Sequence, residues 1–388
     1  FYEGPPSANG MPGIHHVMAR SIKDIFCRYK TMKGFHVKRK AGWDTHGLPV
    51  ELGVEKALGI TKEDIGKTIS VADYNATCRK DVMKFTREWE DLTHRMGYWV
   101  DMKNPYITYD NRYIETLWWL LKQLYNKNYL YKGYTIQPYS PAAGTGLSSH
   151  ELNQPGCYRD VKDTTCIAQF KIKNPRTEMT AFGEPYFLAW TTTPWTLPSN
   201  VALCVNPNEE YAKVKAADGY VYYMASALLD TVLGKLAKDG EAAYEVLETY
   251  KGKDLEGKEY EALYQCAADL AAKQHKKGHY VVCDTYVTLT DGTGVVHIAP
   301  AFGEDDAQVG RKYDLPFVQF VDEKGDMTKE TPFAGLFVKK ADPEVLKDLD
   351  AKGLLFDAPK FEHSYPHCWR CDTPLIYYAR ESWFIKMT

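Results

Sequence analysis

The chain has 388 residues, a length that predicts two or three domains. Hydrophobic residues make up 44% of the chain and charged residues 26%, a globular composition that excludes an intrinsically disordered protein. The net charge of −3 neither requires nor excludes a nucleic-acid partner.

The nine cysteines are an odd number without a regular spacing, which favours reduced thiols in a cytoplasmic protein over a disulfide framework. No apolar run approaches the ~20 residues that span a bilayer, so we expect no membrane association. The first residues lack the pattern of a signal peptide. Because there is no initiator Met and no closing element, we expect a part of a longer protein.

The chain begins with a loop that leads into a helix. Residues 1–13 are predicted to be the end of a strand and a loop, with three prolines and three glycines. A helix is predicted over residues 14–32, and Gly34 lies where a C-terminal glycine cap falls. Four apolar residues share one face of this helix: Met18, Ile22, Ile25 and Tyr29.

The next elements define the first fold class. Residues 35–38 are predicted to be a short strand and residues 42–51 a loop, so strand, helix and strand alternate. That order predicts a Rossmann-like, doubly wound parallel α/β sheet. Helices are predicted over residues 74–96 and 112–127, and a strand over residues 134–139. An apolar stripe on the later helix is expected to be core: Leu117, Trp118, Leu121 and Leu124.

The sequence pattern changes near residue 157, where short β-like runs replace helical periodicity. They predict a mixed, β-rich domain that is inserted into the first domain. Helical periodicity returns near residue 342. Residues 215–261 carry little periodicity of either kind. The predicted strands are 167–172, 186–191, 201–205, 211–214, 280–283 and 294–298. The predicted domains are 1–156, 157–341 and 342–388.

Residues 4–16 and 42–51 are the first two candidate binding loops. Free N–H groups at a helix N-terminus attract phosphate, and histidines such as His15 and His16 can add donors. Asp44, in a glycine-framed loop after a strand, is placed to hold an ammonium group or a sugar hydroxyl. The residue types alone are also compatible with a turn carrying exposed histidines, and with Asp44 as a turn or cap residue.

A third candidate combines a threonine run with a histidine and a carboxylate. Threonine hydroxyls can position a water or a carbonyl group, an imidazole can bind a ribose hydroxyl, and a carboxylate can hold an amino group. Without further context, β propensity and a structural histidine are the preferred explanation of the same residues. The residues are Thr191, Thr192, Thr193, His297 and Asp306.

Cys368 and Cys371 form a C-x-x-C pair, which is half of a four-ligand zinc site. No second pair has ligand spacing, and His363 and His367 do not complete a set. A metal-free loop is therefore the preferred interpretation.

Taken together, these strings resemble the class I aminoacyl-tRNA synthetases of the isoleucine, leucine and valine group, and most of all the isoleucine form. Residues 42–51 match that form. Residues 191–196 do so too, where leucine and valine relatives tend to carry Thr-Thr-Arg-Pro followed by an acidic residue and Thr. Residues 367–371 and 382–384 resemble the point where the chain re-enters the catalytic domain.

The resemblance implies ATP-dependent attachment of isoleucine to its tRNA, with Mg²⁺ accompanying ATP. It also implies hydrolytic editing of tRNA mischarged with valine. By resemblance, Gly4, Pro5 and Asp44 line the isoleucine pocket, and Asp44 pairs with the substrate ammonium. Asn9, Gly10, Gly13, His15 and His16 lie in the loop that holds ATP. Thr191, Thr192, Thr193 and His297 frame the mischarged tRNA end, and Asp306 holds the amino group of valine.

Two departures from the family pattern carry expectations of their own. The first motif of the family usually reads His-x-Gly-His, whereas this chain has Gly13 and His15 with the glycine and the first histidine exchanged. Zinc-bearing relatives place cysteines where Ser140 and Ala143 stand, so no bound zinc is expected. The Lys-Met-Ser-Lys-Ser motif and the anticodon-binding helices are missing from the sequence, so this chain alone is not expected to charge tRNA.

Other functions fit the same residues less well. A free-standing deacylase of misacylated tRNA and a non-catalytic tRNA-binding module remain open, and a valine or leucine enzyme is opposed by Pro194 and Trp195. No Ser-His-Asp, Cys-His or metal arrangement is evident in the inserted domain. We therefore expect direct attack by a positioned water, in a monomeric protein.

Overall fold

The computed structural model describes residues 1–175, 180–237 and 242–387. They form a mixed α/β protein with two compact units, Phe1–Tyr131 with Trp383–Thr388, and Lys132–Ser382. The predicted domain boundaries near residues 156 and 341 remain a prediction. No helix among the described residues is long and apolar enough to cross a membrane.

The first unit is built on parallel strand pairing. Its elements are α1 (Ile14–Met32), β1 (Lys40–Trp43), α2 (Leu48–Leu58), α3 (Val71–Val82), α4 (Thr86–Met96), β2 (Asp101–Ile107) and α5 (Asn111–Asn126). β1 pairs in parallel with β2, and Tyr2 forms a parallel bridge with Lys40. Parallel neighbours require crossover connections, which α1 and then α2 to α4 supply. This arrangement is the predicted Rossmann-like α/β class.

The bounds of α1 are those predicted, but its buried face is polar. Arg20, Asp24 and Cys27 are buried, whereas the predicted apolar face is exposed, with Met18 62% exposed. Helical spacing therefore identified a real face of the helix. It does not reveal whether the described chain covers that face.

Two short predictions next to α1 were wrong. Residues 35–38 are not a strand, because the Phe35 N–H donates to the Lys30 carbonyl oxygen at 3.1 Å and completes the helix end. Gly34 takes a φ of 89° there, which favours glycine. The strand begins at Lys40 instead. The loop predicted over residues 42–51 is shorter, because β1 continues through Trp43 and α2 begins at Leu48.

The helix predicted over residues 74–96 is two helices, α3 and α4. The interruption lies where the Phe85 N–H donates to the Ala8 carbonyl oxygen of the N-terminal loop, at 2.9 Å. Phe85 packs there beside the buried group of Ala8, Trp43 and Trp89. A contact between distant parts of the sequence thus replaces a turn of helix.

The apolar stripe of α5 is not core, contrary to the prediction. Within the described chain no residue of α5 is buried, and Trp118 is 69% exposed. Together with Trp383 the helix lines a cavity of about 720 Å³. We call this the α5 surface; its lining residues are Trp118, Trp119, Leu121, Lys122, Tyr125, Leu130 and Trp383.

The second unit contains most of the strands. Its elements are β3 (Leu130–Ser140), β4 (Thr145–Gly146), α6 (Ser149–Leu152), β5 (Tyr158–Thr164), β6 (Cys166–Lys171), β7 (Pro185–Thr191), β8 (Ala202–Val205), β9 (Glu210–Ala216), β10 (Val221–Ala225), α7 (Leu229–Leu233), β11 (Tyr244–Lys251), α8 (Gln265–Lys273), β12 (Tyr280–Cys283), β13 (Val295–Ile298), α9 (Glu304–Lys312), α10 (Val338–Ala351), β14 (Leu355–Asp357), β15 (Lys360–Pro366) and β16 (Ile376–Ile385).

Within the described residues, nine of these strands form one mixed sheet. Its order is β11-β9-β10-β7-β13-β8-β12, with β6 pairing β7 and β14 pairing β6. β5 pairs with β15, and β16 pairs with β3 next to β4. The large sheet carries the main hydrophobic core, which includes Phe170, Phe187 and Leu203. It is the mixed, β-rich domain that the sequence predicted.

The six predicted strands of this sheet are confirmed within one or two residues at each end. The other three strands of the sheet were missed: β10 and β11 fall in the uninformative stretch of residues 215–261, and β14 has only three residues. β11 is an edge strand whose residues are all partly or fully exposed, so it carries no clean apolar alternation. Residues 238–241 of that stretch lie outside the described residues.

Candidate active sites

A cavity of about 440 Å³ lies in the first unit, where the N-terminal loop meets α1. Five of the predicted binding residues line it: Gly4, Pro5, Asn9, Gly10 and His16. The loop is held in place because the Trp89 Nε1–H donates to the Gly10 carbonyl oxygen at 3.0 Å. The sequence prediction therefore located a real concavity of the fold.

The floor of this cavity is charged, which the sequence analysis did not predict. Glu3 and Arg20 are 2% and 3% exposed, and Arg20 Nε lies 3.2 Å from Glu3 Oε1. Arg20 also donates to Thr93 Oγ1 at 2.8 Å and lies over the Trp89 ring. Lys23 Nζ is 3.5 Å from the same Glu3 carboxylate. These contacts join α1 to Glu3 of the N-terminal segment and to Trp89 and Thr93 of α4.

His15 and His16 lie side by side at the start of α1, with their rings tilted by 44°. Their ring centroids lie 3.7 Å apart, and His16 Nδ1 accepts the Gly13 N–H at 2.9 Å. Burial, the neighbouring His15 and Arg20 lower the pKa of His16. His15 is exposed and does not line the cavity, and a side chain at Gly13 would start 2.9 Å from the His15 ring. The exchanged glycine and histidine thus pack against each other.

Asp44 lies in the turn between β1 and α2 and is half-buried. Its N–H donates to the Pro6 carbonyl oxygen at 3.0 Å, which joins this turn to the N-terminal loop. The neighbouring Thr45 is anchored by Thr108, which contacts both its N–H and its hydroxyl. The structure thus holds Asp44 beside the loop of Gly4 and Pro5, although Asp44 does not line the cavity itself.

The second candidate site is in the other unit, where β7 ends in the threonine run. Thr191 is buried, and its Oγ1 accepts the Thr193 N–H at 3.1 Å. Thr192 and Thr193 are half-buried in the turn that follows. The Thr196 hydroxyl closes this turn by donating to the Thr193 carbonyl oxygen at 2.8 Å. The run is therefore a folded loop of hydroxyl groups, not a continuation of the strand.

His297 lies on the neighbouring strand β13 and contacts this loop. Its Nε2 is 2.9 Å from Thr196 Oγ1. With the hydroxyl hydrogen of Thr196 assigned to the Thr193 carbonyl oxygen, Nε2 is the donor in this contact. Burial lowers the pKa of His297 to about 4, so the ring is neutral at pH 7. Nδ1 then carries a buried lone pair that has no hydrogen-bond partner among the described residues.

Asp306 lies in the first turn of α9, just beyond the end of β13. Its Oδ2 accepts the Ala299 N–H at 2.9 Å, and Phe302 between them packs on Trp195 of the threonine loop at 4.9 Å between ring centroids. The residue is half-buried, and its carboxyl group is surrounded by protein. This burial, with a further contribution from Asp305, raises the pKa of Asp306 to about 7.

The whole chain, residues 1–388, matches the family model of class I tRNA synthetases for isoleucine, leucine, methionine and valine. The chain belongs to this class I synthetase family.

Curated relatives of this class I synthetase chain include three isoleucine–tRNA ligases. That of Bacteroides fragilis is 58% identical over 444 residues, that of Porphyromonas gingivalis 55% over 443, and that of Clostridium acetobutylicum 50% over 389. Each alignment covers 100% of this chain, but only 38%, 38% and 35% of the respective relative. The chain thus spans less than two fifths of the length of these relatives.

One solved structure with similarity to this synthetase chain is the editing domain of the Plasmodium knowlesi cytosolic leucyl-tRNA synthetase. It is 15% identical, with a TM-score of 0.38, and the match covers 55% of this chain and 99% of that one. A match this distant gives no information about individual site residues.

Two residues of the synthetase's threonine site were missed from the sequence. Thr196 links the loop to His297, and Asp342 of α10 accepts the Trp195 N–H at 2.9 Å. Burial raises the pKa of Asp342 to about 7. Thr196 could have been found, because it belongs to the threonine string itself. Asp342 could not, because it lies 147 residues from Trp195 and carries no local signal.

Cys371 of the C-x-x-C pair lies next to Ser140, one of the two positions at which the sequence analysis noted a missing cysteine. Ser140 Oγ lies 3.4 Å from Cys371 Sγ and accepts the Ala143 N–H at 3.2 Å. Across the described residues, no group of three or more His, Cys, Asp or Glu side chains could hold a metal ion. Two thiols and a hydroxyl do not make the four-ligand set that structural zinc requires.

Proposed function

We propose that this chain supplies part of an isoleucine–tRNA ligase: half of the site that activates isoleucine with ATP and Mg²⁺, and a hydrolytic site that edits tRNA mischarged with valine. Support for the first comes from the 440 Å³ cavity, and for the second from the loop of hydroxyl groups beside His297 and Asp306. The nine free cysteines suit the cytoplasm, where we place the protein.

The observation that carries the editing proposal is the unpartnered Nδ1 of His297. A buried polar atom without a partner is costly unless a ligand satisfies it. Because Nδ1 is an acceptor here, its complement is a donor such as a ribose hydroxyl at the end of a tRNA.

Asp306 is the proposed partner of the valine ammonium group. The pKa of its carboxyl group is raised to about 7, so a bound ammonium group favours the carboxylate form. The pairing fixes the aminoacyl ester next to the hydroxyl groups of Thr191, Thr192 and Thr193. A water molecule then attacks the ester carbonyl carbon, and the bond to the ribose oxygen breaks to release valine and free tRNA.

A second site is needed because valine lacks only one methylene of isoleucine. The isoleucyl enzyme is the standard case of this limit, in which a pocket gains only ~1–3 kcal/mol of discrimination from such a group. A hydrolytic pocket can instead exclude the larger side chain by size. We therefore expect selectivity for valine at the threonine site, and selectivity for isoleucine at the cavity of Gly4 and Pro5.

The direct test measures hydrolysis of Val-tRNA and Ile-tRNA by this chain, both made on the isoleucine tRNA. We expect Val-tRNA to be deacylated and Ile-tRNA to be spared by roughly a hundredfold, as a steric sieve requires. Equal loss of both esters would remove the editing proposal. Tight binding of both without turnover would instead identify a tRNA-binding module.

A positioning role is expected for Asp342, which holds the threonine loop through the Trp195 N–H. Asp342→Ala leaves that N–H unpaired in a buried turn, so we expect kcat for Val-tRNA hydrolysis to fall about tenfold with KM little changed. Asp342→Asn keeps an oxygen acceptor and should retain most of the rate. If both variants lost stability and activity together, Asp342 would be a purely structural residue.

A further inference from the structure

The two cysteines between β15 and β16 are held close together in a tight turn. The Asp372 N–H donates to the Cys368 carbonyl oxygen at 2.8 Å, with Asp372 at a φ of 59°. The Cys368 N–H donates to the Thr373 carbonyl oxygen at 2.8 Å. The side chains of Cys368 and Cys371 interact within this turn. The hydrogen-bonded turn thus places the two cysteine side chains next to each other.

The two thiols have different surroundings. Cys368 is 0% exposed, and burial raises its pKa. Cys371 is half-buried, with Ser140 Oγ at 3.4 Å and Thr373 Oγ1 at 3.1 Å from its sulfur. Burial acts to raise the pKa of Cys371 as well, yet hydrogen bonds from Ser140, Thr373 and Cys368 together hold it below its ordinary value. Cys371 is thus the more exposed thiol and has the lowered pKa, whereas Cys368 is buried and has a raised pKa.

We propose that Cys368 and Cys371 are a thiol oxidation site, at which a hydroperoxide converts the pair reversibly into an intramolecular disulfide. The Cys371 thiolate attacks one oxygen of hydrogen peroxide, so the O–O bond breaks, hydroxide leaves and a sulfenic acid forms. The Cys368 thiol then attacks the Cys371 sulfur, the S–O bond breaks and water leaves. Overall, two thiols and one peroxide become one disulfide and two waters.

The chemistry of the surrounding residues favours this use over a metal. Ser140 supplies a hydroxyl, which stabilises a thiolate but is a poor ligand for a soft metal. Among the other cysteines, Cys78 and Cys266 are also only half-buried, but burial raises the pKa of each. Among the described residues, Cys368 and Cys371 therefore differ from Cys78 and Cys266 in their shared turn and in the lowered pKa of Cys371.

The test treats the whole chain with hydrogen peroxide, blocks free thiols by alkylation, and cleaves at glutamate. The fragment of residues 363–381 holds both cysteines and no other. We expect it to lose two hydrogens at least about tenfold faster than Cys78 or Cys266 is oxidised, and to regain them with dithiothreitol. Oxidation of Cys78 or Cys266 at the same rate would overturn the proposal.

Single variants separate the roles of the two thiols. In Cys368→Ser the sulfenic acid at Cys371 should persist and be trapped by dimedone, because nothing resolves it. In Cys371→Ser the oxidation of Cys368 should be at least about tenfold slower. Equal rates for Cys368 and Cys371 in the two variants would contradict the assignment. Stoichiometric zinc in the purified chain, with both thiols protected until a chelator is added, would overturn it as well.

Discussion

Replacing Asp306 by alanine is expected to lower the rate of Val-tRNA hydrolysis at least about a hundredfold, or about 2.7 kcal/mol of transition-state stabilisation. The reason is the loss of the only charge that we assign to the valine ammonium group. The measurement is single-turnover deacylation of Val-tRNA. Asp305→Ala is the matched control, because Asp305 is exposed and one residue earlier in the same helical turn. It should hydrolyse Val-tRNA at the parental rate at a pH of about 9, where the carboxyl group of Asp306 is ionised with or without Asp305.

A second variant separates charge from structure at this position. Asp306 also accepts the Ala299 N–H at 2.9 Å, so alanine removes a structural hydrogen bond as well. Asp306→Asn keeps an oxygen acceptor for that N–H and removes the charge. We expect it to be as inactive as Asp306→Ala. A parental rate in Asp306→Asn would show that the residue shapes the loop and does not bind the substrate.

The pH dependence of the same reaction tests the charge directly. Burial raises the pKa of Asp306 to about 7, so its protonated form predominates below that pH. The kcat/KM for hydrolysis by the parent chain should therefore fall as the pH decreases through about 7, because kcat/KM reports the chain without substrate. The neutral His297 does not titrate in this range, because burial lowers its pKa to about 4. After subtraction of the uncatalysed rate at each pH, Asp306→Asn should lack the decrease that Asp306 causes.

The second large effect is expected at the start of α1. A side chain at Gly13 would begin 2.9 Å from the ring of His15, so Gly13→His alone places two imidazoles in the same space. We expect this single variant to lose at least about tenfold in ATP–pyrophosphate exchange. The double variant Gly13→His, His15→Gly removes the competing ring and should recover to within about threefold of the parent.

This cycle belongs in a full-length isoleucine–tRNA ligase that carries the same exchanged residues, because the chain spans only 38% of such a relative. His15→Gly completes the four-corner comparison. If the effects of the two substitutions on ATP–pyrophosphate exchange are strongly non-additive, residues 13 and 15 act together through their packing contact. Additive losses would instead mean that each residue acts on ATP separately.

The sequence predicted those parts of the structure that depend on local signals. The bounds of α1 follow from Gly13 before it and from Gly34, whose φ of 89° ends the helix. The strands of the large sheet follow from short runs of β-branched and aromatic residues. The threonine run and His297 were recognised as a pair, and the structure does bring them into contact through Thr196.

Non-local contacts set the limit of prediction. The break between α3 and α4 depends on Ala8, which lies 77 positions before Phe85 in the chain and accepts its N–H. The buried pair of Glu3 and Arg20 resembles two ordinary surface charges in the sequence. The stripe of α5 was correctly seen as apolar but wrongly assigned to the core, because periodicity describes one surface and not its partner.

The α5 surface also has an optical consequence. Trp118, Trp119 and Trp383 expose their indole rings to water there, whereas Trp89 and Trp195 are enclosed in the two units. Fluorescence from a hydrated indole is emitted at longer wavelength than fluorescence from one in apolar surroundings. Any layer of protein that covers this surface will therefore move the emission of the chain towards the blue. Intrinsic tryptophan fluorescence can therefore report when another protein segment covers the α5 surface.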